Sequence, residues 1–191
     1  MRIKYLFILP LLAASLNAAD VTDLAFTLNE NSYSVTDCDQ NASGVLEIPS
    51  TYYGLPVTSI GDGAFYQCRR LTSVTIPDSV TSIGIQAFQY CTALRSVTLP
   101  SSLPSIADWT FYECSDLVSM NIPDGVTSIG NNAFSRCYNL KSITIPDSVT
   151  SIEDFAFYFC EDLTMLIFLG DSPAFGGQVF SETRNPVIYV T

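Results

Sequence analysis

A fixed interval of 23 residues separates five cysteines of the chain, and this period constrains the fold more than any other feature. Four other residue types keep the same register. The columns are Cys68, Cys91, Cys114, Cys137 and Cys160; Phe65, Phe88, Phe111, Phe134 and Phe157, continued by Phe180; Ile60, Ile83, Ile106, Ile129 and Ile152; Leu71, Leu94, Leu117, Leu140 and Leu163; and Pro77, Pro100, Pro123 and Pro146. They predict a solenoid, because one short unit cannot bury its apolar face alone, whereas stacked copies bury it as continuous ladders.

The second half of each unit predicts a strand. One unit reads VTSIGDGAFYQCRRLTSVTIPDS. Val74 and Ile76 alternate with polar residues, which indicates a short half-buried strand with Ser73 and Thr75 facing outward. Pro77 ends this strand, since proline donates no hydrogen bond to a neighbouring strand.

The next segment of the unit returns to the core. Val80 and Ile83 indicate a second short extended piece. Ala87, Phe88 and Cys91 recur at helical spacing, which predicts a helical turn. The sequence therefore predicts a strand-rich α/β solenoid, with short strands plus one helical turn in each 23-residue repeat.

The V-T-S-I-G start and the AF-x-x-C-x-x-L-x-x-V-x-I-P core resemble the 23-residue leucine-rich repeats of the BspA-like bacterial surface protein family. The resemblance covers residues 57–171. It implies a right-handed, curved leucine-rich-repeat solenoid without catalysis, displayed at a cell surface and used for binding. Thr110 replaces the small Ala of the family pattern. The glycine of the pattern is present at Gly84 but is replaced by Ala107 and Glu153 in two later repeats.

The chain is predicted to divide into four segments. They are a signal peptide at 1–19, an N-terminal capping segment at 20–56, five leucine-rich repeats at 57–171, and a degenerate C-terminal repeat or cap at 172–191. The ends of a solenoid need such atypical units to hide the apolar ladders. Alternating apolar residues in the N-terminal segment suit a hairpin that covers the first repeat.

The N-terminal leader has the pattern of a secretory signal peptide. Arg2 and Lys4 precede an apolar run over 5–16, and small residues follow before Asp20. This run is too short to span a membrane. Ser15 stands where a lipoprotein signal would have cysteine, so we expect no lipid anchor. We expect a secreted or cell-surface protein, with no membrane insertion after signal cleavage.

Composition excludes several classes of function. The 191 residues include 19 acidic and 8 basic side chains, a net charge of −11, and no histidine. Nucleic acids and anionic membranes are bound by clustered Lys and Arg, so neither is an expected partner. The lack of histidine removes Ser-His-Asp and Cys-His nucleophiles and most zinc sites. No carboxylate pair stands out for glycoside chemistry. We therefore expect no enzyme activity, no cofactor and no metal site.

The column cysteines are predicted to be buried free thiols that act as small apolar side chains. Same-column residues point the same way from stacked units, with Cβ atoms held near the strand spacing of ~4.8 Å. A disulfide needs a Cβ–Cβ distance of about 3.8 Å, so the column does not suit bridges. Cys38 lies outside the column and has no obvious partner in the sequence.

The outward positions of the predicted strands form a row of small polar side chains, here named the hydroxyl strip. Its members are Ser73, Thr75, Ser96, Thr98, Ser119, Asn121, Ser142 and Thr144. An extracellular protein of a host, a matrix or another cell is the expected partner, and a glycan is the alternative. The strip lacks aromatic platforms for sugars, which favours a protein. A carbohydrate-binding module and a structural spacer without its own ligand stay open.

Other residue sets compete with the strip. The tyrosines beside the Phe column suit either an interface or a cover over the core; they are Tyr66, Tyr90, Tyr112, Tyr138 and Tyr158. Trp109 is interpreted as a packing substitution rather than a sugar platform. Asp78, Asp124 and Asp147 follow the column prolines and predict turns rather than a calcium ladder.

Overall fold

The computed structural model describes residues 18–184 and 186–190. The predicted signal peptide, 1–19, lies outside the described residues except for Ala18 and Ala19. The described residues form a short 3-10 helix and sixteen strands. In chain order these are the 3-10 helix Val21–Asp23, β1 Leu24–Leu28, β2 Tyr33–Cys38, β3 Ser43–Glu47, β4 Thr51–Tyr52, β5 Leu55–Ile60, β6 Arg70–Thr75, β7 Ser82–Ile83, β8 Ser96–Thr98, β9 Ser105–Ile106, β10 Ser119–Asn121, β11 Ser128–Ile129, β12 Ser142–Ile145, β13 Ser151–Ile152, β14 Met165–Phe168, β15 Ala174–Phe175 and β16 Val187–Val190.

The repeats contribute two series of parallel strands. The long strands form the groups β3-β6-β8 and β10-β12-β14-β16. The short strands pair as β5 with β7, and as the group β9-β11-β13-β15. Residues 23 positions apart pair in register, as Ile129 does with Ile106 and Ile152. The result is a strand-rich solenoid of about seven turns, which confirms the predicted repeat architecture. Its right-handed sense stays a prediction.

The segment that was predicted as a helical turn is a run of β-turns, and no helix is found in the described part of the repeats. The amide of Phe88 donates to Thr110 O of the next repeat at 2.9 Å, while the amide of Cys91 donates to Phe88 O at 3.2 Å. Gln86 and Tyr90 have φ values of 59° and 63°. These left-handed residues interrupt helical geometry and turn alternate amides toward the next repeat. The helical spacing of these residues arises only from the bonds in which the amide of residue i+3 donates to the carbonyl of residue i.

Both strand series are interrupted between the second and third repeats. Within the described residues, β8 does not pair with β10, nor β7 with β9. In the short series the cause is Pro104. The matching residue of the next repeat, Thr127, donates its amide to Pro104 O at 2.9 Å. Pro104 itself has no N–H and cannot make the equivalent bond. The turn segments remain hydrogen-bonded across this seam.

The core consists of the predicted ladders. The rings of the Phe column stack face to face from Phe65 to Phe180, with centroids 4.7–5.5 Å apart and interplanar angles of 1–16°. The Ile, Leu and Cys columns are buried beside them. Removal of this apolar surface from water is the main stabilising term for such a stack.

The two ends of the solenoid differ. At the N-terminal end β1 and β2 form an antiparallel hairpin, and β2 pairs with β5. Phe26 of this hairpin stacks on Tyr52 with centroids 4.0 Å apart. At the other end the four apolar residues of β16 are 49–65% exposed. The hairpin therefore covers the first repeat, whereas β16 presents apolar side chains to solvent.

Candidate functional site

The hydroxyl strip lies on the outward face of the long strands. Its residues occupy β6, β8, β10 and β12. The residue between each outward pair is buried, namely Val74, Val97, Met120 and Ile143. Because alternate strand residues point to opposite faces, the strip points away from the core. Five of the eight residues are exposed, and Ser73, Ser142 and Thr144 are half-buried.

The structure brings these residues together as two blocks of four. The neighbours are Ser73 with Ser96, Thr75 with Thr98, Ser119 with Ser142, and Asn121 with Thr144. The hydroxyls of Ser73 and Ser96 are 3.0 Å apart and share a hydrogen bond. Hydroxyl and amide groups both donate and accept hydrogen bonds, so each block can match a partner of either polarity.

A groove lies between the two blocks, at the seam where β8 and β10 do not pair. Its volume is about 360 Å³. Thr98 and Asn121 come from the strands on its two sides, and the other lining residues are Val97, Leu99, Ser101, Pro123 and Asp124. The sequence predicts one row of polar side chains, and the groove divides that row in two. The 23-residue pattern does not indicate that the long strands β8 and β10 fail to pair.

Residues of different chemistry border the strip. Met165 and Ile167 of β14 continue its register beyond Ser142 and Thr144. Met165 is 39% exposed, so one border is apolar. Glu47 of β3 borders the opposite end and is exposed. A partner that extends past the strip therefore meets a carboxylate at one side and a thioether at the other.

The aspartates after the column prolines lie in turns, as predicted. Asp78 also links two repeats, since its Oδ1 accepts hydrogen bonds from the Ser101 amide at 2.8 Å and the Ser101 hydroxyl at 2.9 Å. These two bonds, chiefly the one from the Ser101 amide, hold the pKa of Asp78 below its ordinary value. Ser101, which stands in the Asp column after Asp78, thus donates two hydrogen bonds to the preceding aspartate.

All six cysteines are free and buried, which confirms the predicted thiol state. They are more than small apolar side chains. The thiols of Cys91, Cys114, Cys137 and Cys160 each donate to the carbonyl of the phenylalanine 26 residues earlier, at 3.0–3.2 Å. Burial raises the pKa of Cys91 and Cys160 to about 12. These thiols therefore hold their protons at neutral pH.

Cys38 has a neighbour that sequence reasoning missed. The Cys68 thiol lies 3.7 Å from Cys38 O, and contact with that thiol raises the pKa of Cys38. Cys38 thus stands at the head of the Cys column. Its separation of 30 residues from Cys68, rather than 23, concealed this position.

The tyrosines on the turn side form an edge-to-face ladder at the N-terminal part of the repeats. Ring centroids are 5.7 Å apart between Tyr66 and Tyr90, and 5.6 Å apart between Tyr90 and Tyr112. Trp109 packs on Tyr112, with ring centroids 4.8 Å apart. Most of these rings are half-buried, so they cover the core and still present surface.

Stacked 23-residue units with this strand pattern define a leucine-rich-repeat solenoid. Residues 58–186 match the BspA-type leucine-rich repeat region in six copies. The chain therefore belongs to the BspA-type leucine-rich repeat family, as its motifs predict. The match is to a repeat region and not to a catalytic family.

Solved structures of bacterial proteins share the fold. A Treponema pallidum leucine-rich repeat protein is 27% identical, with a TM-score of 0.72 over 86% of this chain and 88% of its own. A leucine-rich cell surface protein from Faecalibacterium prausnitzii is 32% identical, with a TM-score of 0.64 over 93% of this chain. A Bacteroides ovatus leucine-rich repeat protein is 25% identical, with a TM-score of 0.54 over 85% of this chain.

The chain spans 55% and 56% of the Faecalibacterium and Bacteroides proteins. No curated protein matches it. Across the described residues, no helix has the length and apolarity that crossing a membrane requires.

Proposed function

We propose that this chain is a non-enzymatic, secreted or cell-surface protein that binds an extracellular protein of a host, a matrix or another cell through the hydroxyl strip. The observation that carries the proposal is the in-register pairing of eight uncharged polar side chains into two outward blocks of four, with a groove between the blocks. Docking on such a surface depends on shape and hydrogen bonds more than on charge.

The predicted leader supports export, and the cell-surface description of the Faecalibacterium relative supports the same location. N-terminal sequencing of the exported protein checks this part. The small residues before Asp20 place the first residue of the mature chain at Ala19 or Asp20. A mature protein that still begins at Met1 contradicts export by this leader.

The binding surface is tested with four lysines at the centre of the strip. Ser96, Thr98, Ser119 and Asn121 are replaced together by Lys, and immobilised extracellular-matrix proteins serve as the probe. Binding is expected to fall by at least roughly tenfold, because bulky charges then occupy the contact. The fold is expected to survive by circular dichroism and thermal unfolding, since all four side chains point outward.

The matched control places the same charge elsewhere. Its four Lys substitutions lie on outward positions of the short strands, at Ser82, Ser105, Ser128 and Ser151. If both variants lose binding equally, or if neither loses binding, the binding surface lies outside the strip. If the chain binds glycans but no matrix protein, the carbohydrate-binding alternative is favoured. If it binds neither, the structural-spacer alternative is favoured.

A further inference from the structure

A second cleft, of about 290 Å³, lies on the turn side of the solenoid, away from the strip. It spans the third to the fifth repeat. Trp109 and Tyr112 line it from the third repeat, with ring centroids 4.8 Å apart and planes tilted by 55°. Phe155 and Tyr158 line it from the fifth, with centroids 5.4 Å apart and planes at 81°. Two aromatic walls therefore face each other across the fourth repeat.

The 23-residue period explains the gap between these walls. Ser135 occupies the column position that Tyr112 and Tyr158 hold in the neighbouring repeats. Asn132 likewise stands where those repeats have Trp109 and Phe155. The fourth repeat thus lacks both rings and leaves polar groups between two aromatic pairs.

An unpartnered hydroxyl lies at the floor of the cleft. The side chain of Ser135 is 1% exposed, and its Oγ has no hydrogen-bond partner among the described residues. A buried polar group without a partner costs free energy, so native proteins rarely keep one without a reason. Because this oxygen is buried, a ligand bonds to it only after the Ser135 side chain rotates into the cleft, and that bond supplies the missing partner.

Arg136 supplies further hydrogen-bond donors to the cleft. Its guanidinium donates to Glu113 Oε1 at 3.0 Å and lies 5.8 Å from the Tyr112 ring centroid. The Glu113 carboxylate and the ring therefore fix its orientation, while its remaining N–H groups stay available. Because Glu113 balances its charge, the cleft suits a neutral ligand better than an anionic one.

We propose that this cleft binds a neutral carbohydrate, with one sugar ring between the aromatic walls. The walls are two repeats apart, roughly 10 Å at the strand spacing. Contact with both walls at once needs about 7–8 Å, so one saturated ring fits in this wider gap and packs closely on one wall. The C–H faces of the sugar pack on the rings, and its hydroxyls bond to Arg136, Asn132 and Ser135. A proline-rich peptide also uses aromatic grooves, but it needs a longer channel than this one-repeat gap.

The cleft contains its own reporter, because Trp109 is the single tryptophan of the chain. Intrinsic fluorescence is followed while the chain is titrated with soluble chito-, cello-, xylo-, manno- and galacto-oligosaccharides. At least one series is expected to change the emission saturably, with a Kd below about 1 mM. The four Lys substitutions in the hydroxyl strip are expected to leave this titration unchanged, which separates the cleft from the proposed protein-binding surface.

Three substitutions locate the sugar. Ser135→Tyr restores the ring of the neighbouring repeats, fills the gap and is expected to weaken binding by more than about tenfold. Asn132→Phe fills the gap from the other column, where Phe155 already occupies the same left-handed backbone position. Ser135→Ala removes only the hydroxyl and is expected to weaken binding about three- to tenfold. Tyr66→Ser, on the same side but outside the cleft, is the matched control and is expected to bind normally.

The proposal is overturned if no oligosaccharide series gives a saturable change. It is also overturned if the folded gap-filling variants bind as well as the parent chain, or if a proline-rich peptide saturates the Trp109 signal and the sugars do not.

Discussion

Gly130 packs so closely on Asp108 of the preceding repeat that it has no room for a side chain. A Cβ on Gly130 would lie 2.7 Å from the backbone nitrogen of Asp108 and closer still to its Oδ1. That same oxygen accepts the backbone N–H of Asn131 at 2.7 Å. The glycine therefore makes room for a carboxylate that ties two repeats together.

This relationship recurs in alternate repeats. The carboxylates are Asp62, Asp108 and Asp154, and the glycines that face them are Gly84, Gly130 and Gly176. Ala107 and Glu153 fall in the intervening repeats, whose predecessors have Ile85 and Asn131 in place of the aspartate. The two departures from the family's glycine thus occur where no aspartate of the preceding repeat occupies the space.

The coupling between Gly130 and Asp108 is testable by a double-mutant cycle. Gly130→Ala is expected to destabilise the chain by about 1–3 kcal/mol through overpacking. The same change is expected to cost less in an Asp108→Ala background, because the nearest clashing atom is gone. Urea unfolding gives both values. Ala107→Gly is the control at an intervening repeat, with an expected cost below about 1 kcal/mol; strictly additive effects contradict the coupling.

Phe111 tests the ring stack at its centre. It is fully buried, with Phe88 and Phe134 stacked at 5.5 and 5.3 Å. Phe111→Ala is expected to cost about 3–5 kcal/mol, because apolar transfer is lost and a cavity forms. Hydrogen exchange should show the damage in both adjacent repeats. Val118→Ala, at a position 40% exposed, is the control. A Phe111→Ala loss below about 1 kcal/mol contradicts the stack's role in stability.

The thiol column predicts a specific pattern of chemical labelling. All six cysteines are free and buried, so a thiol reagent is expected to react slowly with the native chain. After denaturation without reductant, mass spectrometry should show all six labelled. Reductant should leave the melting temperature unchanged. Two or more disulfides among the column residues, found by the same mass spectrometry, contradict the structure.

The sequence predicts the solenoid, its ladders and its outward strip because each depends on a residue that repeats at 23. The two clefts, which the sequence does not predict, lie where the 23-residue period is broken. Pro104 removes one amide from the short-strand ladder, and Ser135 removes a ring from a row of tyrosines. A substitution of this kind is visible in the sequence, but its effect depends on what the two neighbouring repeats place around it. The β-turns were missed for another reason, since left-handed residues such as Gln86 and Tyr90 are not glycines.

The buried thiols also make the chain sensitive to alkaline pH. Burial raises the pKa of Cys160 to about 12 from its ordinary value of 9.0. In the unfolded chain this thiol loses its proton near its ordinary value, whereas in the folded chain it stays protonated until about 12. The stability that it contributes is therefore complete below pH 9 and is lost as the pH rises toward the folded value.

The expected loss is about 1.4 kcal/mol per pH unit for each such thiol. Cys160→Ala should lower stability at neutral pH through lost packing, yet its free energy of unfolding should fall less steeply than that of the parent chain above about pH 9. Urea unfolding at several pH values measures both slopes. Val97→Ala truncates a buried side chain that does not titrate, so the difference in free energy of unfolding between this variant and the parent chain should stay constant with pH. Tyrosine ionisation affects all variants alike, so it does not change these differences. Parallel slopes for Cys160→Ala and the parent chain would show that this thiol ionises alike in the folded and unfolded states, against its burial and its hydrogen bond to Phe134 O at 3.1 Å.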